Sequence, residues 1–172
     1  MESAALFEDA IEWLRENYAQ FQFFMERDVV WTLHLYLIRQ LEKQGLSYRI
    51  FHGFTIPFDD GGIKNVDLVL LNGDDTIELA AEFKYEPSHQ RKDLRRTKFP
   101  VVLWPDLLKD IDAVKKIVAQ KKAKIAYSAL IDEGGHFINQ SLPPGPIWKS
   151  WDISGDFPHH VSLLWLKVLQ ND

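Results

Sequence analysis

The stretch Thr76-Ile-Glu-Leu-Ala-Ala-Glu-Phe-Lys84 alternates in character, and it decides how the chain is read. In an extended strand successive side chains point to opposite faces, so Ile77, Leu79, Ala81 and Phe83 share one face while Glu78, Ala80, Glu82 and Lys84 share the other. Immediately before it, Lys64-Asn-Val-Asp-Leu-Val-Leu-Leu71 reads as a second strand, and Asn72-Gly-Asp-Asp75 as the turn between them. A loop of two or four residues sets Leu71 against Thr76 and Asp67 against Ala80. Asp67 then has Glu78 and Glu82 as diagonal neighbours, with backbones roughly 7 to 8 Å apart, a span two carboxylates can close onto one cation. A loop of three or five residues reverses that parity and removes the cluster.

Carboxylates gathered this closely repel one another and need protonation, a cation or wide exposure. Asp67 lies within Val66-Asp-Leu-Val-Leu-Leu71, too apolar a setting for wide exposure. Oxygen ligands of this type suit Mg2+ or Mn2+, which keep several waters and lower the pKa of one to make an attacking hydroxide. Lys84, one alternation step beyond Glu82, is placed to orient that water or offset charge developing in the transition state. The plain alternative is a same-face ion pair on an exposed strand, worth almost nothing.

Working outward, residues 48–58 form a further strand candidate ahead of the hairpin, so three strands make an antiparallel meander. Upstream, residues 3–18 and 26–43 carry helical periodicity, the second ending at Gly45. In that second helix Val30, Leu33, Leu37 and Leu41 form an apolar stripe, and one turn back lies Glu26. A carboxylate there either complements the helix dipole or is aimed inward at something positive. Downstream come a helix over 105–122, a buried strand over 124–131, a Pro-, Gly- and Trp-rich excursion over 139–160, and a last strand over 161–169. The expected fold is an α/β domain of order α-α-β-β-β-α-β-β, a central mixed sheet of four to five strands flanked by helices. One domain spans 1–172: an N-terminal helical extension over 1–25, a core over 26–131, and the excursion with the final strand over 132–172.

The composition narrows the chemistry. With 46% hydrophobic residues in 172, the chain has material for a packed core, so disorder is not expected. It has no cysteine, which excludes disulfides, thiolate metal sites and thiol nucleophiles. The first ten residues have no basic start, and no apolar run is long enough to span a bilayer, so a cytoplasmic location is expected. No phosphate-binding glycine loop, nucleophile elbow or dinucleotide fingerprint is present. The net charge is −5, but residues 84–124 carry 12 Lys and Arg against 5 Asp and Glu, a local +7 that leaves −12 elsewhere. Such a run is either a solvated face or a basic lip beside an acidic site.

Asp67 followed by Glu82-Phe-Lys84, on a helix, three-strand, helix, strand framework, resembles the PD-(D/E)XK or restriction-endonuclease-like nuclease superfamily, over roughly residues 26–131. The resemblance implies a metal-dependent nuclease: Asp67 and Glu82 as ligands of Mg2+ or Mn2+, Lys84 as catalytic lysine, Glu26 as an assisting acid. Val66 departs from the motif, standing where its name has proline. The superfamily also holds members without activity, so the alternative is an inactive module on the same fold that binds nucleic acid or a protein.

On that reading Arg91, Lys92, Arg95, Arg96 and Lys98 meet the phosphates of nucleic acid; otherwise they are a solvated loop. His89 is a candidate metal ligand or acid–base group, though a lone loop histidine is more often neither. Trp148 and Trp151 either stack on unpaired bases or pin the excursion to the core. No base-reading element is evident, and a nuclease of this length often pairs with a second copy, though no dimer surface is identified.

Overall fold

Each element ends where the sequence supplies a reason. The computed structural model describes residues 2–94, 98–153 and 157–170. Helix α1 runs Glu2–Asn17 and helix α2 Glu26–Gln44, where Gly45 closes α2 in the left-handed region at φ 66°, a conformation side-chain-bearing residues adopt only with strain. Strands β1 (Arg49–Pro57), β2 (Ile63–Leu71) and β3 (Ile77–Glu86) follow, then helix α3 (Trp104–Ala119), β4 (Ile125–Glu133), β5 (Ile147–Trp151) and β6 (Val161–Leu169).

The strands form one mixed sheet in the order β1-β2-β3-β4-β6-β5, parallel only between β3 and β4. A parallel pair needs a long crossover, which the segment carrying α3 provides. β4, central and covered on both faces, is buried along its whole length, as its unbroken apolar run requires. One core cluster packs α1 and α2 on one face through Phe7, Leu14, Leu33, Leu37, Leu79 and Phe83. The other packs α3 through Leu107, Ile111, Val114 and Ile117 on Val69, Ala80 and Leu130.

Two expectations need correction. The sheet has six strands among the described residues rather than four or five, because residues 147–151 of the excursion form an edge strand on β6. The cue was hidden by the prolines and glycine that precede it. Trp151 is buried 5.7 Å from the Tyr18 ring, and half-buried Trp148 packs against the α3-side cluster. Both therefore hold the excursion down instead of standing free for bases. Helix α1 is no extension either: Phe7, Ala10 and Leu14 are fully buried in the core.

The hairpin register also differs. Five residues separate Leu71 from its partner Ile77, the loop length that reverses parity, but a bulge immediately reverses it again. Beyond the bulge Leu70 faces Leu79, Val69 faces Ala80 and Leu68 faces Ala81. The strand has slipped by two residues from the expected register, so Asp67 comes level with Glu82 rather than Ala80. Glu78 falls outside the group and is engaged by Lys124 at 2.6 Å and Asn72 at 2.9 Å.

Candidate active site

The pairing of β2 with β3 stops at Leu68 and Ala81. From there β2 stays with β1 back to Ile63, and β3 stays with β4 out to Glu86, so the two central strands part like a fork. Parting leaves backbone groups without ladder partners, and an unpaired buried amide is costly. Asp67 fills that need: its Oδ2 accepts the Phe83 N–H at 2.7 Å. Alternation also breaks here. Val66 and Val69, three residues apart, both join the α3-side cluster, and of the two β1 residues between their partners Phe54 and Phe51 one is Gly53 at φ 63°.

The fork is where side chains from both helical layers can meet, because the sheet that separates them is open. Lys84 Nζ lies 3.1 Å from Glu26 Oε2 of α2, 3.2 Å from Asp110 Oδ2 of α3 and 3.8 Å from Glu82 Oε1. Lys64, on β2, donates to Glu82 Oε1 at 2.6 Å and to Asp110 Oδ1 at 2.7 Å. Glu26 is free for this role because Asp28 satisfies the start of α2, accepting from the backbone N–H groups of Phe24 and Met25 at 2.8 and 3.0 Å. Of the two readings open for Glu26, the inward one describes its contacts.

Among the described residues four acids thus face two ammoniums, a net −2 when all are ionised. Burial raises the Glu82 pKa to about 8, reinforced by the Asp67 charge and only partly offset by Lys64. Burial also raises Asp67, against the Phe83 N–H that favours its ionised form, and raises Glu26 against the pull of Lys84. Burial opposes the Lys84 charge, but Glu26, Asp110 and Glu82 outweigh it and hold the ammonium above its ordinary range. The lysines stay charged, and it is the acids that give way. Among the described residues Glu82 Oε2 is buried with no hydrogen-bond partner, so neither a proton nor a bare charge is satisfied there.

That orphaned oxygen, beside Asp67 in a cluster short of positive charge, fits a hard cation. Among the described residues no three histidine, aspartate or glutamate groups form a ready cage. Magnesium is commonly held by one or two carboxylates, with water and substrate phosphate completing its shell, and Asp67 and Glu82 match that pattern.

Asp67, Glu82, Lys84 and Glu26 are therefore brought to one place. Sequence reasoning missed Asp110 and Lys64. The signal for Asp110 was available: it interrupts the buried stripe of α3 between Leu107 and Ile111, as Glu26 heads that of α2. Lys64 shares the face of Val66, a lysine on an inward side.

The basic segment behaves differently. Arg91 was expected to meet phosphates, but its side chain is only 8% exposed, bonded to Glu133 at 3.3 Å, Asp93 at 2.7 Å, the Tyr85 hydroxyl at 2.9 Å and the Phe23 carbonyl at 2.6 Å. Its positive charge is consumed inside the molecule. Lys92 and Lys98 are exposed, while Arg95 and Arg96 lie outside the described residues. His89 stacks on His136 at 3.5 Å and its Nε2 meets Glu86 at 2.7 Å, away from the fork cluster. No helix among the described residues is long and apolar enough to cross a membrane. Comparison of the chain with family models, with curated proteins and with solved structures finds no match.

Proposed function

We propose that the fork is the active site of a Mg2+- or Mn2+-dependent phosphodiesterase that cleaves nucleic acid on a restriction-endonuclease-like core. The observation that carries this reading is Glu82 Oε2, buried and unpartnered next to Asp67 and the doubly anchored Lys84. Asp67 and Glu82 would hold the ion, which supplies Lewis-acid polarisation and a water of lowered pKa when bound. Lys84 is the group that faces charge developing on the phosphoryl oxygens, where a fixed cation in a partly desolvated site is worth far more than in water. Glu26 and Asp110 are positioning residues: each holds the Lys84 ammonium from a different helical layer, and both keep it protonated. Exposed Lys92 and Lys98 would take the backbone phosphates.

A second reading is favoured by Lys64. Its ammonium already sits between Glu82 and Asp110, so the chain could be a binding module that neutralises its acids internally and takes no metal. Thermal unfolding of the wild type and Asp67→Asn, with and without excess manganese, separates the two. Metal that binds only the native state at a hundred times its Kd adds about 2.7 kcal/mol of stability. The phosphodiesterase reading expects a manganese-dependent rise in melting temperature for the wild type and little for Asp67→Asn; no rise in either sinks it.

A further inference from the structure

A cavity of about 460 Å3 opens between α2 and β1 and ends on Glu26 and Asp67 of the fork. Its other walls are Arg27, Val30 and Trp31 from α2 and His52 and Gly53 from β1. We propose that this cavity receives the base of a nucleotide next to the scissile phosphate, so that the substrate strand is unpaired where it is cut. The identity of the occupant rests on the phosphodiesterase reading above.

Several independent features support a nucleobase. The volume lies within the range of about 300 to 1,000 Å3 usual for small-molecule sites. Trp31 is 44% exposed, a large aromatic left facing water, with its ring 4.4 Å from that of His52. The His34 ring stands behind, 5.1 Å from His52. Flat aromatic walls offer stacking to any base regardless of sequence. Gly53 keeps the floor low: nothing lies within 4 Å of where a Cβ would stand, and φ 63° disfavours any larger residue. The lining of Glu26, Arg27, His52 and Asp67 is too polar for a lipid-like ligand and supplies donors and acceptors for the edge of a base. Asp67 and Glu26 belong to both cavity and fork, so a base seated against Trp31 has its phosphate directed toward Glu82 and Lys84. A base held in a duplex cannot enter without leaving the stack, which favours single strands or flipped nucleotides.

The test is equilibrium binding followed by fluorescence anisotropy in calcium-containing buffer. The probes are labelled deoxyribo- and ribo-oligonucleotide single strands, the matching duplexes and a wholly abasic strand. Wild type is expected to bind a base-bearing single strand about tenfold or more tighter than the duplex or the abasic strand. Trp31→Ala should weaken binding of the base-bearing strand by about tenfold and leave the abasic strand unchanged, while Trp31→Phe retains most of the affinity. The exposure of Trp31 makes these variants expected to fold, which their melting temperatures check. Undiminished binding by Trp31→Ala, or equal wild-type affinity for base-bearing and abasic strands, overturns the pocket. Because the readout is binding, the two readings fail separately: a protein that shows the Trp31 effect but cleaves nothing in manganese loses the active-site reading alone. One that keeps its manganese-dependent rise in melting temperature but binds base-bearing and abasic strands equally loses the pocket alone.

Discussion

Glu82 at the fork and Glu86, Asp132 and Glu133 at the far end of β3 and β4 are all buried acids on the same two strands, yet they are neutralised in opposite ways. At the far end the donors are mostly backbone N–H groups. Glu86 accepts from Val101 and Val102 at 3.1 and 2.6 Å, Asp132 from His136 and Phe137 at 3.0 and 2.7 Å, and Glu133 from Ser88 at 2.9 Å. Among the described residues the strong cation there is Arg91, itself tied at four points. At the fork, among the described residues, the cations are lysine ammoniums on flexible stems, they are outnumbered by acids, and one carboxylate oxygen has no partner. A buried acid closed off by backbone donors fastens loops to the sheet. A buried acid left short of partners, next to groups that can move, is what a site that exchanges ligands requires.

The largest effect should come from breaking the satisfied end. Glu133→Ala leaves the Arg91 guanidinium, the Ser88 N–H and the Tyr85 hydroxyl without their shared acceptor in a buried setting. Removing one partner of such a group costs about 3–5 kcal/mol. For a chain of this length that corresponds to a fall in melting temperature of about 6–20 °C. Asp67→Asn, measured without metal, should cost clearly less. If the two variants lose similar stability, the distinction between fastening and functional acids fails.

Next in size is Lys84→Ala. Loss of one fixed group that stabilises a transition-state charge typically costs about 10²- to 10³-fold in rate. Manganese-dependent cleavage should fall by at least that much, while the fold is retained, since Asp110 keeps Lys64 as a partner and Glu26, already raised by burial, can take up a proton. Glu26→Gln should lower the rate less, because Asp110 still holds the ammonium from the other layer. Undiminished cleavage by Lys84→Ala removes the lysine from the reaction and leaves Lys64 as the ammonium that faces Glu82.

Much of this arrangement was legible because it rests on short-range periodicities. Alternation in residues 76–84 put Glu82 and Lys84 on one face, and the stripe of α2 pointed back to Glu26. The parts that were not legible depend on events no local pattern encodes. The five-residue turn and the bulge after Leu70 cancel in parity but shift the register by two, which moves the strand from Ala80 toward Glu82 opposite Asp67 and carries Glu78 out of the group. The opening of the fork depends on β1 and β4 each holding one strand away from the other. Arg91 looked solvated because its acceptor, Glu133, lies 42 residues downstream on another strand. Asp110 was readable but unread: an acid inside a buried helical stripe carries the same message as Glu26.

The effect closest to the comparison is in the pH dependence of stability. Glu82 is pushed up to about 8 in the folded protein from an ordinary 4.5. Between those values the folded state holds a proton that the unfolded chain has released, so stability is greatest at the acid end of the window and is lost as pH rises through it. For one such group the slope approaches about 1.4 kcal/mol per pH unit, and the upward shifts of Asp67 and Glu26 act in the same direction. Metal-free wild type should therefore melt at progressively lower temperature from pH 5 to 8, and Glu82→Gln, which cannot ionise, should flatten that decline. Manganese should flatten it too, since a cation on Oε2 favours the ionised form and removes the difference in bound protons between the two states. An unchanged slope in Glu82→Gln would place the titration elsewhere and leave the fork no more poised than the far end of the same strands.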